Sequence, residues 1–193
     1  MNDTLLWYTT RGAGVVSLLL LTGVVVLGVL SVKRFEMAGW PRFLTVGLHR
    51  NISLLAVVFL AVHILTAVVD PFTHLGWVPA LIPFGSYYRT FWLGLGTIAA
   101  ELVAAIVVTS LLRGLIGAGA WRLVHWLAYA AWPVAVLHGI GTGTDAGSLW
   151  LVAIQVLCAL AVAVAVALRL LTRSPDPLAE DRARFRERVR RDP

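Results

Sequence analysis

Cysteine is almost absent from this sequence, since Cys158 is the only one in 193 residues. A single thiol excludes a disulfide framework within the chain. It also excludes every motif that needs two cysteines, among them the Cys-x-x-Cys-His motif that attaches haem covalently. Any prosthetic group that the chain carries is therefore expected to be held by coordination alone.

Charged residues are also few. Only 13% of the residues are charged, whereas 59% are hydrophobic, and the mean hydropathy is +0.84. This composition excludes a soluble globular domain and is typical of an integral membrane protein. Five apolar runs are long enough to span a bilayer. They cover residues 13–32, 51–69, 91–112, 123–140 and 149–171.

These runs predict an all-α fold, an integral membrane bundle of five transmembrane helices over residues 13–171. Residues 1–12 are predicted to form a short outer segment, and residues 172–193 a charged cytoplasmic tail. The first run is interpreted as a retained helix and not as a signal peptide. It is long, Lys33 and Arg34 follow it, and no small-residue cleavage site is evident.

Lysine and arginine are distributed unevenly about these runs. Fourteen of the 16 lie on one side of the predicted membrane, and only Arg11 and Arg89 lie on the other. The positive-inside rule therefore places the N-terminus outside and the C-terminus in the cytoplasm of a multi-pass cell-membrane protein. The net charge of +6 does not indicate nucleic-acid binding, because the basic residues flank membrane spans and no recognition motif accompanies them.

Four histidines lie on two of the predicted spans. His49 and His63 belong to the second span, whose helix is expected to begin near Arg42 or Thr45, and His125 and His138 belong to the fourth. At a rise of about 1.5 Å per residue, each pair covers roughly 20 Å along its helix, which predicts two stacked layers. Both spans run from inside to outside, so His49 is expected to face His125 in the inner layer. His63 is then expected to face His138 in the outer layer.

Histidines inside a membrane are costly and indicate a functional site. A neutral imidazole is a common axial ligand of haem iron, and one histidine from each of two facing helices can hold one haem from both sides. The spacing of His49 and His63 leaves them only about 40° apart around a helix, on one face. The thirteen steps from His125 to His138 leave them about 140° apart, so we expect Pro133 to distort that helix and correct the aim.

Several arginines are predicted to accompany these layers. Arg50, Arg113 and Arg122 lie at the inner boundary, where they are placed to meet the propionates of an inner haem, since arginine matches a carboxylate with two hydrogen bonds. Arg89 is the basic residue nearest to the outer propionates. For each of these arginines, a role in topology alone is an equally good interpretation.

Other polar residues are less specific. Glu101 lies within the third span, and a proton relay or a cofactor contact is as plausible for it as a structural hydrogen bond to a neighbouring helix. His74 lies in the outer loop 70–90, where a solvated histidine is the expected state. This loop is apolar and rich in proline and glycine, and we expect it to fold back onto the membrane surface with Trp77 and Tyr87 in an aromatic belt.

The double histidine spacing, together with Arg-Leu-Val-His125-Trp and Val-Leu-His138-Gly, resembles the ferric reductase-like transmembrane domain family over roughly residues 13–171. That family includes the membrane parts of metalloreductases and NADPH oxidases, and the haem subunit of a periplasmic methionine sulfoxide reductase system. The resemblance implies two b-type haems, with His49 and His125 as ligands of the inner one and His63 and His138 of the outer one. It also implies electron transfer from the cytoplasmic side to an acceptor on the outer side.

The sequence departs from the family in two respects. Many members have six spans, whereas five are predicted here, and many continue into a flavin and nicotinamide domain for which this tail is too short. The electron donor is then expected to be a separate flavoprotein or a quinol, with this chain as the haem-bearing membrane subunit of an oxidoreductase. Two alternatives stay open: a small transporter that uses the histidines and Glu101 to bind an ion or proton, and a purely structural subunit.

Overall fold

A computed structural model describes residues 2–32, 42–71, 75–145 and 147–171. Regular structure in these ranges is helical, and they contain no strand. The helices are α1 (Asn2–Val32), α2 (Arg42–Val69), α3 (Val78–Leu81), α4 (Thr90–Leu111), α5 (Arg113–His125), α6 (Ala128–Thr142) and α7 (Leu149–Leu171). The prediction of an all-α fold is confirmed.

Four of these helices, α1, α2, α4 and α7, are long and apolar enough to cross a membrane. α5 and α6 pass the same test together, as one span that is broken and bent by 46°. The described part of the chain therefore has four candidate spans, or five if the bent pair is counted as one span. A multi-pass membrane protein is the architecture that this supports.

The helices pack mainly in two pairs. α1 lies along α2, α4 lies along α6, and α1 also contacts α6 and α7. The residues buried in these contacts are mostly small, such as Ala56 of α2, Ala99 of α4 and Ala131 of α6. Small side chains let helices approach closely, which is how helices associate in lipid, where apolar surface alone gives no driving force. α2 and α6 do not pack against each other in this way, and the site lies between them.

One boundary differs from the sequence-based prediction, and three predictions concern residues outside the described ranges. α1 begins at Asn2, so residues 2–12, predicted as a separate outer segment, are its first turns. α2 begins at Arg42, as predicted. The predictions for the basic loop 33–41, for His74 and for the tail 172–193 concern residues outside the described ranges.

The fourth predicted span is broken at Trp126 and Leu127, between α5 and α6. The Leu127 N–H donates to the Val124 carbonyl at 2.9 Å and the Tyr129 N–H to the Trp126 carbonyl at 3.1 Å. Bonds between residues three apart are those of a 3₁₀ turn. The expected distortion is present, but its predicted position at Pro133 was wrong, because Pro133 lies inside α6 beyond the break.

Candidate functional site

The four histidines form two pairs across the space between α2 and α5–α6. The ring centres of His49 and His125 are 6.3 Å apart, and those of His63 and His138 are 6.2 Å apart. In both pairs the rings are steeply inclined to each other, by 64° and 79°. The structure therefore brings together the same partners that the sequence predicts.

Helix geometry explains how both pairs form. Fourteen residues separate His49 from His63, close to four full turns, so α2 presents both rings on one face about 20 Å apart. The spacing of His125 and His138 does not suit a regular helix. Each step of a 3₁₀ turn rotates the chain by about 120° instead of about 100°, so the turns around Trp126 rotate His138 towards the face of His125. The 46° bend between α5 and α6 also changes the direction of His138 relative to His125.

Three of the histidines are held by backbone carbonyls. Nδ1 lies 3.1 Å from the Val24 oxygen in His49, 2.8 Å from the Thr10 oxygen in His63, and 2.8 Å from the Trp92 oxygen in His138. A carbonyl only accepts, so each Nδ1 is the protonated nitrogen that donates. Nε2 then carries the free lone pair. A bond of this kind fixes the tautomer and the ring orientation of a histidine that ligates a metal through its other nitrogen.

His125 is held differently. Within the described part of the chain, its Nδ1 is buried without a hydrogen-bond partner. Its ring instead stacks on Trp121, with ring centres 5.0 Å apart and planes inclined by 30°. The guanidinium of Arg113 lies 4.2 Å from the centre of the Trp121 ring. The inner pair is therefore positioned by one hydrogen bond and one stack, whereas the outer pair has two hydrogen bonds.

Glycines on the neighbouring helices make room for the imidazoles. A Cβ added at Gly14 would lie 2.9 Å from Cε1 of His63, and one added at Gly96 would lie 2.5 Å from Cε1 of His138. At Gly28 the distance to Cε1 of His49 would be 3.5 Å, an ordinary contact. From the sequence, Gly14 and Gly28 were expected only to allow close helix approach, and their link to the histidines was not predicted, although a signal exists. Gly14 and Gly28 are fourteen positions apart on the helix antiparallel to α2, the same interval as its two histidines.

An apolar cleft adjoins the outer pair. His63 and His138 line it together with Leu60, Ile64, Ala67 and Val68 of α2, Leu93, Gly96 and Ala100 of α4, and Gly76, Pro79 and Ala80 of the α2–α4 connection. Leu75, Gly76, Pro79 and Ala80 of the α2–α4 connection form one of its walls.

The two layers are separated by a polar contact in the middle of the bundle. Trp132 lies between His125 and His138 along the chain, and its Nε1 donates to the Thr22 hydroxyl at 2.9 Å. Thr22 is buried, and its hydroxyl donates in turn to the Leu18 carbonyl at 2.8 Å. This chain of bonds joins α6 to α1 at mid-height and satisfies the indole nitrogen away from water.

The predicted arginines lie around the layers without all converging on them. Arg50 is exposed, and the Nε of Arg122 donates to the Ala118 carbonyl of its own helix. Arg89 donates to the Gly141 carbonyl, next to the outer pair. Arg11, which was predicted only as a topology marker, forms an ion pair with Asp145 in the α6–α7 connection. It directly follows Thr10, whose carbonyl holds His63.

Glu101 differs from the expectation for an intramembrane acid. Its side chain is exposed and does not face the interior of the bundle. Glu101 is therefore not part of either histidine pair.

Each pair has the spacing of two axial ligands on one metal ion. With bonds of about 2.0 Å, and with each nitrogen about 1.2 Å from its ring centre, two opposed imidazoles on one ion have centres about 6.4 Å apart. Within the described ranges, no group of three or more His, Cys, Asp or Glu side chains is placed to hold a metal. A site with two protein ligands per layer suits an ion whose other positions are filled by a planar macrocycle.

The fold and the site together define an all-helical protein with four to five candidate membrane spans and two stacked histidine pairs inside the bundle. Comparison with protein-family models, with curated proteins and with solved structures finds no match for the chain.

Proposed function

We propose that the chain is a membrane electron-transfer subunit that binds two b-type haems, similar to the ferric reductase-like transmembrane domain family. The observation that carries this proposal is the spacing of the two histidine pairs, 6.3 and 6.2 Å between ring centres. Haem bound at each layer would supply an iron centre that accepts and releases one electron at a time. His49 and His125 would hold the inner haem, and His63 and His138 the outer one.

The hydrogen bonds at Nδ1 support this assignment. In His49, His63 and His138, the backbone carbonyl takes the proton-bearing nitrogen and leaves Nε2 for a metal. The side chains around the outer pair are mostly apolar, which suits a hydrophobic macrocycle. With two histidines in each layer as its ligands, a bound haem would supply electron transfer and not oxygen binding at the iron.

In this scheme the arginines near the layer ends would be the partners of the propionates. Arg89 lies beside the outer pair, while Arg50, Arg113 and Arg122 lie at the opposite end of the bundle, where the inner pair is. We infer from the distribution of lysine and arginine that the N-terminus is outside a plasma membrane and the C-terminus inside. Electrons would then pass from a flavoprotein or quinol to an acceptor on the outer side.

The first test is the absorption spectrum of the purified protein, reduced with dithionite minus oxidised, with a pyridine haemochrome count of haem per chain. Two haems b per chain are expected. His63→Ala and His138→Ala should each remove one haem, and His49→Ala and His125→Ala the other. His74→Ala is the matched control and should keep two. Colourless protein from cells supplied with haem would refute the proposal and leave the transporter as the better explanation.

A further inference from the structure

The connection between α2 and α4 has an unusual composition and surface. From Pro71 to Tyr88 the sequence contains no aspartate, glutamate, lysine or arginine. Large apolar side chains at its centre are exposed, and we call them the α3 patch: Trp77, Val78, Leu81, Ile82 and Phe84. Leu81 is 68% exposed. On a loop in water, an exposed apolar patch of this kind would promote aggregation. What covers the patch therefore has to be identified.

The depth of this segment is fixed by its contacts with α4. The Thr97 hydroxyl donates to the Pro79 carbonyl at 2.7 Å. Thr97 is the eighth residue of α4, so this contact lies about 10 Å along the helix from Thr90. Gly96, which seats the ring of His138, is its neighbour in the sequence. The short helix α3 therefore lies at the level of the outer histidine pair, and not at the level of Thr90, where α4 begins.

A second contact holds the part of the segment that follows α3, where the chain returns to α4. The ring of Phe84 lies against Gly94, where a side chain would clash with it. Phe84 has a φ of 64°, a left-handed conformation that is rare for an aromatic residue and that persists only where the surroundings enforce it. Packing on α4 therefore fixes this turn in place beside the helix.

The backbone of the segment suits a medium without water. Pro79 and Pro83 have no N–H group that would need a partner. The Val78 carbonyl accepts from Ile82 at 2.8 Å, and the Ile82 carbonyl accepts from Gly85 at 3.2 Å. Irregular backbone is tolerated at membrane depth only where protein shields it, and here the Pro79 carbonyl packs against α4.

We propose that residues 75–85 form a re-entrant segment that inserts into the outer leaflet, with the α3 patch in contact with lipid acyl chains. Its inner side, at Leu75, Gly76, Pro79 and Ala80, forms the lipid-facing wall of the cleft beside His63 and His138. The exposed patch continues the apolar surface of the spanning helices, and Tyr87, fully exposed beyond it, lies at the water boundary. The proposal does not depend on what the cleft binds.

The test uses single cysteines in a Cys158→Ala background, reconstituted in lipid nanodiscs, where both aqueous faces are accessible. Leu81→Cys probes the patch, Tyr87→Cys is the aqueous control, and Val58→Cys, on the exposed face in the middle of α2, is the lipid control. A membrane-impermeant maleimide should label Leu81→Cys at least about tenfold more slowly than Tyr87→Cys, because a thiol in hydrocarbon is not ionised to the reactive thiolate.

A second readout identifies what covers the patch. A bimane fluorophore attached at Leu81→Cys should be quenched by doxyl-labelled lipids as strongly as one at Val58→Cys. Labelling as fast as that of Tyr87→Cys would overturn the proposal, since the segment would then be an aqueous loop. Slow labelling without quenching by lipid would also overturn it and would indicate a second copy or a partner subunit on the patch. Neither readout depends on haem, so the proposed function can fail without affecting this result.

Discussion

Gly14 of α1 lies directly against the imidazole of His63 in α2. A Cβ at Gly14 would come within 2.9 Å of both Nδ1 and Cε1 of that ring. The carbonyl that orients His63 belongs to Thr10, one turn earlier on the same helix. α1 therefore supplies both the space for this histidine and the hydrogen bond that directs it.

The glycine contacts predict which substitutions disturb which layer. Gly14→Ala and Gly96→Ala should lower the occupancy of the outer haem, because the added methyl group displaces the imidazole that it meets. Gly28→Ala should leave the inner haem in place, since its Cβ meets His49 at an ordinary contact distance. Gly12→Ala, with no atom within 4 Å, is the control. Haem per chain and reduced-minus-oxidised spectra measure the outcome, and full occupancy in Gly96→Ala would contradict the prediction.

The unpartnered Nδ1 of His125 predicts that the inner site binds haem more weakly. Hydrogen bonds to ligating histidines typically change metal affinity by about 10–100-fold. Titration of the haem-depleted protein with hemin measures this, with His49→Ala reporting the outer site alone and His63→Ala the inner site alone. An inner site that binds as tightly as the outer one would show that the stack on Trp121 replaces the missing bond.

The ion pair between Arg11 and Asp145 is expected to stabilise the outer end of the bundle. The two side chains are only 22% and 25% exposed, so Asp145→Asn should cost about 1–3 kcal/mol, between the values for surface and buried pairs. Denaturation in detergent measures this cost, and Arg169→Gln, which removes an exposed hydrogen bond to Tyr129, is the control. The double variant with Arg11→Gln should lose less than the sum of the single losses. Additive losses would show that the pair does not interact.

Trp132 is predicted to contribute more through its volume than through its hydrogen bond. Trp132→Phe removes the bond to Thr22 and should cost only about 0.6 kcal/mol, a typical value between membrane helices. Thr22 keeps its bond to Leu18. Trp132→Ala should cost about 3–5 kcal/mol because it leaves a cavity between the layers. Thermal unfolding followed by the haem spectrum distinguishes the two variants, and a loss of haem in Trp132→Phe would contradict the prediction.

Much of the architecture could be predicted from local sequence. The apolar runs predicted the helices, because a helix in lipid must be apolar along a length that matches the bilayer. The interval between His49 and His63 predicted one face of α2, and the direction of the spans predicted the partners of both histidines. The break near Trp126 was expected in kind but not in position, since proline alone did not determine where the hydrogen bonds rearrange.

The sequence by itself determined which residues are apolar enough to span and which histidines share a layer, since both follow from helical periodicity and hydropathy. Tertiary structure alone decided that Gly14 and Gly96 seat the rings, that the carbonyls of Thr10, Val24 and Trp92 orient them, and that Glu101 faces outward. These features depend on the rotation of one helix against another. That rotation is set by the packing of many small side chains, and no local pattern in the chain records it.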